Sequence, residues 1–387
     1  MGYPIKVLHL ITWLNPGGIE RWLLSMLQKV DRDRVAMDFC CKGPNTGSLA
    51  SLAKAMGATI QHCPLRPTHF GFVRGLDKII RSSKYDVVHN HLEHYAGVGV
   101  YAAKRAGVTV ISGFHNTSFP AQLMPDFPFL YKLRQLYGKI SIRYALRHSA
   151  LISANAVGIF RYLKQLCPFP SYKERVLYYG VEFPPSKSKR EKESFRSALD
   201  LDAEKVLITH VASFTPQKNH MGLLRVAEKV ISLEPKVHFV LVGEGALRPQ
   251  IQRIAEERGI ANNLSFLGSR QDVEHILGCS DMFFLPSHWE GLPRAVLEAM
   301  AAKLPIVATD LPGLKETIIE GRSGYLLPIN DEEGMKQRLL DLIANPEKRR
   351  SMGELGWHQV QAKFSLSVAA NNLCKLYESL SNTERSV

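Results

Sequence analysis

The chain of 387 residues is 45% hydrophobic and 22% charged, too long for one ordinary core and of the composition expected for a soluble protein of two domains. Its net charge of +13 lies wholly in the first half: residues 1–183 hold 23 basic against 10 acidic side chains, whereas residues 184–387 hold 26 of each. No apolar run approaches the roughly 18 residues of a membrane span, no nucleic-acid recognition signature accompanies the positive charge, and six cysteines without a CxxC or regular spacing favour free thiols in a reducing compartment. The basic half then meets a membrane or a phosphorylated substrate, or it serves solubility alone.

Taken in order, "VLHLITWL" leads into "NPGG" and reads as a buried first strand, not a signal peptide. In "GGIERWLLSMLQKV", Ile19, Trp22, Leu23, Met26, Leu27 and Val30 share one helical face. The run "YDVVHNH" is a second strand, and "HNHLEH" brings His89, His91, His94 and Glu93 together at its end. A metal cluster has this residue type and spacing, but polar strand ends lining a crevice are the more usual reason. "VTVISGFH" ends another strand at His115, either a satisfied strand-end histidine or a functional one. Residues 120–148 carry Lys132, Arg134, Lys139, Arg143 and Arg147, with Leu130, Leu133, Tyr137, Ile140 and Tyr144 at helical spacing. Such a helix lies on an anionic bilayer or packs on the domain core, and the pattern alone does not separate the two.

"ALISAN" and "RVLYYGV" close the first half, and "VEFPPSKSKREKES" reads as an exposed linker. Then come "KVLITHVAS", "VHFVLVGEG", "LSFLGS", "DMFFLPS" and "LPIVATD", short apolar runs without strict alternation, as in strands buried on both faces of a parallel sheet. Strands alternating with helical patterns make each half a doubly wound α/β domain, with boundaries near 1–183 and 184–365. The stretch after Phe364 has a helical apolar pattern, as of a helix capping the second domain.

Open parallel sheets bind ligands at the carboxyl ends of their strands. In the second half those ends carry Lys218 in "FTPQKNH", Gly243 and Gly245 in "VGEGALR", Arg270 in "SRQDV", and the stretch "SHWEGLPRAVLEAM". A helix beginning near Pro293 or Arg294 would point free N–H groups at the crevice, a natural phosphate site. Pro293 has no N–H, so Gly291, Leu292, Arg294 and Ala295 are the candidate donors. Glu290 in the turn and Glu298 about one turn inside the helix could hold sugar hydroxyls on either side of a diphosphate, with Lys218 supplying positive charge. A nucleotide-sugar has that shape. Alone, two glutamates at this spacing would be an acid near a helix start and a surface residue.

The run from "FLGSRQDVEHILGCSDMFFLPSHWEGLPRAVLEAM" to "AAKLPIVATDLPGLKETI" resembles the donor-binding half of family 4 glycosyltransferases, retaining enzymes of the GT-B fold with two Rossmann-like domains facing across a central cleft. "GGIER", "GFHN", "FTPQKNH", "LVGEGALR" and "GYLLP" match further motifs in order. The resemblance implies that Glu298 binds the donor ribose, that Glu290 and the Gly291–Leu292 amides hold the transferred sugar, and that Lys218 neutralises the diphosphate. It further implies that Gly17 and Gly18 approach that diphosphate from the other side and that His115 stands beside the sugar at the reacting centre; Gly243 and Arg270 at the strand ends and Arg294 at the helix start complete the donor-site candidates. No metal or other cofactor is implied, and the helix over 366–387 is expected to cross back to the first domain. One position departs from the family: Ser213 stands where an arginine is usual, leaving Arg270 and Arg294 as candidates for the missing charge.

The expected function is transfer of a hexose or N-acetylhexosamine from a UDP- or GDP-sugar to a glycan or lipid-linked acceptor in cell-surface polysaccharide synthesis. The expected location is the cytoplasm, with peripheral contact at the inner membrane face. Two other readings share the motifs: a non-catalytic nucleotide-binding partner, supported by Ser213, and a nucleotide-sugar epimerase.

Overall fold

The computed structural model describes residues 3–65, 69–115 and 128–384. Asn116 of the "GFHN" motif and residues 120–127 of the basic segment lie outside them, as does the Leu130 side chain. The chain divides into two compact units, Met1–Gly180 with Leu366–Val387, and Val181–Ser365.

The first unit is built on a parallel sheet of seven strands, β1 (Ile5–Ile11), β2 (Val35–Cys41), β3 (Ile60–His62), β4 (Val87–Asn90), β5 (Thr109–Phe114), β6 (Leu151–Ala154) and β7 (Glu174–Val176), in the spatial order 3-2-1-4-5-6-7. The second has six, β8 (Val206–Val211), β9 (Val237–Val242), β10 (Leu264–Gly268), β11 (Met282–Leu285), β12 (Ile306–Thr309) and β13 (Gly324–Leu327), in the order 10-9-8-11-12-13. Both are Rossmann-like orders, in which the direction of winding reverses beside the first strand. Strands β9, β11 and β12 are buried along their whole length, as Val-, Leu- and Phe-rich strands covered on both faces must be.

Three strands have no counterpart among the apolar runs: β13, which lies in the "GYLLP" motif, β2 and β3. In β2, "VAMDFCC", Asp38 interrupts the run, yet it is satisfied in place: its carboxylate accepts from the Thr59 N–H at 2.6 Å and from the Tyr85 hydroxyl at 2.9 Å. β3 is a three-residue edge strand, too short to show a period. The charge run read as linker also differs from expectation. Residues Lys189–Ser197 form a helix because Ser188 and Glu191 make a reciprocal capping box. Its Arg196 is buried and donates to Asp281 at 2.7 Å and to the Lys192, Lys205 and Cys279 carbonyls, pinning the helix to the start of β11.

The helix Leu366–Glu384 packs on the helix Gly18–Lys29 and on β1 and β4, all within the first unit. The helix Pro128–His148 turns Ile142, Ala145 and Leu146 into the core, whereas Leu133 and Ile140 of the apolar stripe are 48% and 57% exposed. The stripe is therefore not the packed face. It borders an apolar cavity of about 420 Å³ lined by Phe70, Val73, Val98, Tyr101, Tyr137 and Tyr144.

Removing one member of a buried ion pair strands the other, at a cost of about 3–5 kcal/mol. Arg196→Ala is accordingly expected to lower the unfolding free energy by about 3 kcal/mol. Urea denaturation checks this, and a midpoint like that of the parent would show that Asp281 needs no partner.

Candidate active site

In the second unit, β8 and β11 are neighbours, and the chain leaves them in opposite directions across the sheet. Their carboxyl ends define a crevice of the kind in which open α/β sheets bind ligands. From β8 the chain enters a short turn, Pro216–Lys218, then Asn219 in the left-handed region at φ +52°. The Asn219 side chain caps the next helix through the Gly222 N–H and donates to the Pro286 carbonyl at 3.0 Å, fastening the two strand ends together.

This fastening sets Lys218 against Glu290. Lys218 Nζ lies 2.6 Å from Glu290 Oε1, and Gln217 donates to Glu290 Oε2 at 3.3 Å and to the Trp289 carbonyl at 2.8 Å. Glu290 is 6% exposed, so it is a buried carboxylate with two donors, and its remaining lone pairs can still accept from hydroxyl groups. The helix begins at Arg294 with Pro293 as its N-cap, as the sequence suggests. Arg294 Nε donates to Glu298 Oε1 at 2.7 Å, while its Nη1 is buried without a hydrogen-bond partner among the described residues. Ser287 Oγ is buried in the same condition. A Cβ on Gly313 would lie 1.5 Å from the Gly291 carbonyl oxygen, so glycine alone lets the Pro312–Lys315 turn close behind Gly291 and Leu292.

The other donor candidates are more dispersed. Gly243 follows β9, one strand from β8, at φ +141°, and a Cβ there would sit 2.0 Å from the Ala212 carbonyl oxygen. Arg270 follows the edge strand β10, three places from β11, and is bound to Asp272 through two hydrogen bonds of 2.8 and 2.7 Å. Gly17 and Gly18 belong to the first unit, where Gly17 caps the helix Gly18–Lys29 beyond β1.

In the first unit the same reversal of winding falls between β1 and β4. His115 lies just beyond β5. Its N–H donates to Glu93 Oε1 at 3.1 Å, its Nε2 lies 3.1 Å from His91 Nδ1, and its Nδ1 lies 3.2 Å from Tyr179 Oη. Burial drives its pKa down to about 3, so at neutral pH it is an uncharged ring and not a general acid. His94 does not join His89 and His91. It sits in the turn Glu93–Tyr95, and the third ring of the cluster is instead His9, from β1. His9, His89 and His91 have ring nitrogens within 4.8 Å of one another and are the described residues able to hold a metal. All six of their nitrogens are already within hydrogen-bonding distance of side chains, none of them a carboxylate. That arrangement suits neutral imidazoles better than a dication.

Two residues of this crevice were not singled out by the sequence. Glu20, in the first turn after Gly17, is pushed up to about 7 by burial, with the nearby Glu93 carboxylate adding to the effect. Lys42, beyond β2, is brought down to about 8 by burial and then by Arg134. Glu20 stands inside the "GGIER" motif, which was the available signal; Lys42 follows the strand that the apolar runs did not reveal.

A family model described as Glycosyltransferase Family 4 matches residues 16–183, and one described as Glycosyl transferases group 1 matches residues 191–358. The chain is a GT-B glycosyltransferase. It is 26% identical over 346 residues to the UDP-Gal:alpha-D-GlcNAc-diphosphoundecaprenol alpha-1,3-galactosyltransferase of Escherichia coli, covering 84% of this chain and 85% of that one. It is 24% identical over 305 residues to the N-acetyl-alpha-D-glucosaminyl L-malate synthase of Bacillus anthracis, covering 77% and 76%. Among solved structures, Anabaena Alr3699/HepE in complex with UDP and glucose superposes with a TM-score of 0.83 at 19% identity, covering 97% of this glycosyltransferase and all of that chain.

The buried rings are expected to make the fold of this glycosyltransferase acid-sensitive. Burial holds His9, His89 and His91 well below the ordinary imidazole value, and brings His210 and His238 to about 4. Above about pH 6.5 these rings are neutral in both folded and unfolded chains. Below it only the unfolded chain takes up the protons, so stability is complete above that value and is lost as pH falls toward the folded pKa values. The loss is about 1.4 kcal/mol per pH unit for each histidine that excludes its proton. Urea midpoints measured at pH 7.5 and 5.0 should differ by several kcal/mol in unfolding free energy, and equal midpoints would show that the rings protonate freely in the folded state.

Proposed function

We propose that the chain is a retaining family 4 enzyme that moves a hexose or N-acetylhexosamine from a UDP-sugar to a glycan or lipid-linked acceptor during cell-surface polysaccharide synthesis. The observation that carries this reading is the Lys218–Glu290 pair at the second unit's switch point, beside a helix start whose Arg294 holds Glu298. UDP is favoured over GDP because UDP occupies the HepE complexes and a UDP-sugar stands in the E. coli relative's name. A diphospho-lipid acceptor likewise follows the name of that relative.

In this reading the diphosphate rests on the amides that open the Arg294–Ala301 helix, where the positive end of the dipole faces it. Lys218 shares its charge between Glu290 and the leaving diphosphate, and so stabilises charge that grows as the sugar departs. Glu290 accepts from sugar hydroxyls and Glu298 from the ribose. No enzyme carboxylate attacks the sugar; the leaving oxygen takes the acceptor's proton on the same face, and catalysis is positioning plus electrostatics. Neither a metal nor another cofactor enters. With serine at position 213, Arg294 is the better-placed substitute for the missing cation, since it lies beside Glu298 with a buried unpartnered Nη1, whereas Arg270 is engaged by Asp272 at the sheet edge.

Donor binding is tested by thermal unfolding with UDP, GDP, ADP and their sugar conjugates. A nucleotide at about 100 times its Kd adds about 2.7 kcal/mol, a rise of several degrees in Tm. Glu298→Ala should lose most of the rise seen with UDP. No rise with any nucleotide would bring the non-catalytic reading forward, and an equal rise in the variant would take Glu298 off the ribose. Release of UDP only when acceptor is present, with the sugar's anomeric configuration kept in the product, separates transfer from epimerisation.

Peripheral membrane contact at the cytoplasmic face belongs to the same proposal. It is supported by the exposed Leu133 and Ile140, the apolar cavity beside them and the basic residues of their helix. Leu133→Asp with Ile140→Asp is expected to abolish co-flotation with vesicles of anionic phospholipid while leaving Tm unchanged. Undiminished flotation would place any membrane contact elsewhere.

A further inference from the structure

The first unit contains an unbroken line of hydrogen-bonding side chains that passes through His115 to Tyr179. It runs from Ser153 Oγ to His89 Nε2 (2.9 Å), His89 Nδ1 to Tyr377 Oη (2.8 Å) and Tyr377 Oη to His9 Nε2 (3.5 Å). It continues from His9 Nδ1 to His91 Nε2 (3.1 Å), His91 Nδ1 to His115 Nε2 (3.1 Å) and His115 Nδ1 to Tyr179 Oη (3.2 Å). The members come from β1, β4, β6, the ends of β4 and β5, the segment after β7, and the helix Leu366–Glu384. All eight ring nitrogens of the four histidines are engaged.

A neutral imidazole has one N–H and one lone pair. A ring that accepts at one nitrogen must therefore donate at the other, and the Tyr377 hydroxyl between two rings passes the same direction on. The line has two self-consistent states. Either all four rings carry their proton on Nδ1 and donate toward Tyr179, or all four carry it on Nε2 and donate toward Ser153. Any mixture sets two N–H groups or two lone pairs against each other in a buried place. The far end decides between the two. Ser153 is 2% exposed, and His89 is its hydrogen-bond partner among the described residues. Among the described residues its proton has an acceptor only when it donates to His89 Nε2, which selects the Nδ1 state.

We infer that Ser153, His89, Tyr377, His9 and His91 set the tautomer of His115, holding its proton on Nδ1, where it is donated to Tyr179 Oη, and its Nε2 lone pair occupied by His91, so that the ring presents no free acceptor to the candidate site. This deepens, and rests on, the reading that places His115 beside the transferred sugar. The five upstream side chains are positioning residues, because they act through His115. Burial supports the scheme by keeping the rings uncharged, which the one-donor, one-acceptor count requires.

The test is long-range proton–nitrogen NMR of the full-length protein labelled with ¹⁵N-histidine at pH 7, each ring assigned by the signal lost in a single His→Gln variant. His9, His89, His91 and His115 should each show a neutral ring protonated at Nδ1. Tyr377→Phe cuts the line between His89 and His9, and the nitrogen shifts of His9, His91 and His115 should move to a tautomer mixture while His89 stays as it was. Ser153→Ala removes the end that chooses, and all four rings should lose the single Nδ1 form. Neighbouring rings in opposite tautomers in the wild type would overturn the inference. So would unchanged spectra in both folded variants, or a stoichiometric metal in the purified protein. None of these readouts needs turnover. A protein with the expected ring pattern but no glycosyl transfer would defeat the proposed function and leave the line standing.

Discussion

The parallel pairing of β8 with β11 is the constraint on which the candidate donor site depends. Two parallel neighbours end at the same edge of the sheet, and when the chain leaves them in opposite directions no crossover helix covers the gap. Everything placed there is short and rigid: a three-residue turn to Lys218, a left-handed Asn219 that stitches to Pro286, and a Gly-Leu-Pro turn into the Arg294 helix. The lysine and glutamate meet because the strands that carry them do, although 72 residues separate them in the chain. Bringing a buried carboxylate and an ammonium together has a desolvation cost, which the hydrogen bond from Gln217 helps to offset. The candidate site is therefore held in place by the protein's own hydrogen bonds, the preorganisation on which electrostatic catalysis relies.

Much of the fold was legible because buried parallel strands announce themselves as short runs of Val, Ile, Leu and Phe. β8, β9, β11 and β12 are such runs, and each is buried along nearly all of its length. β2 and β3 escaped for different reasons. The polar Asp38 is tolerated in β2 only because Thr59 and Tyr85, distant in sequence, supply donors, and β3 is too short to establish a period. The capping box at Ser188–Glu191 was present in the letters but hidden in a stretch whose prolines and charges looked like linker.

The site was legible unevenly for a related reason. Glu290, the Arg294 helix start and Glu298 lie within nine residues of one another, so local spacing carried their meaning. Long-range partners carry no such mark. Nothing near His9 indicates that it will lie 3.1 Å from His91, and nothing near His89 indicates Tyr377, 288 residues onward. The cluster expected at His89, His91 and His94 used chain proximity as a guide. β-sheet register instead set His9 opposite His89 and left His94 in a turn.

The order in which the chain visits the two units has its own consequence. It leaves the first unit after Gly180, builds the second from Val181 to Ser365, and returns with the Leu366–Glu384 helix. The points of departure and return are side by side, since the Val181 N–H donates to the Phe364 carbonyl at 3.0 Å. The second unit is thus topologically an insertion whose two ends are clasped together. On a ribosome it can close as soon as it emerges, while the earlier sheet still waits for the helix that brings Tyr377. Until that helix arrives, His9 and His89 lack the hydroxyl that joins them, and the first unit to be synthesised is the last to be completed.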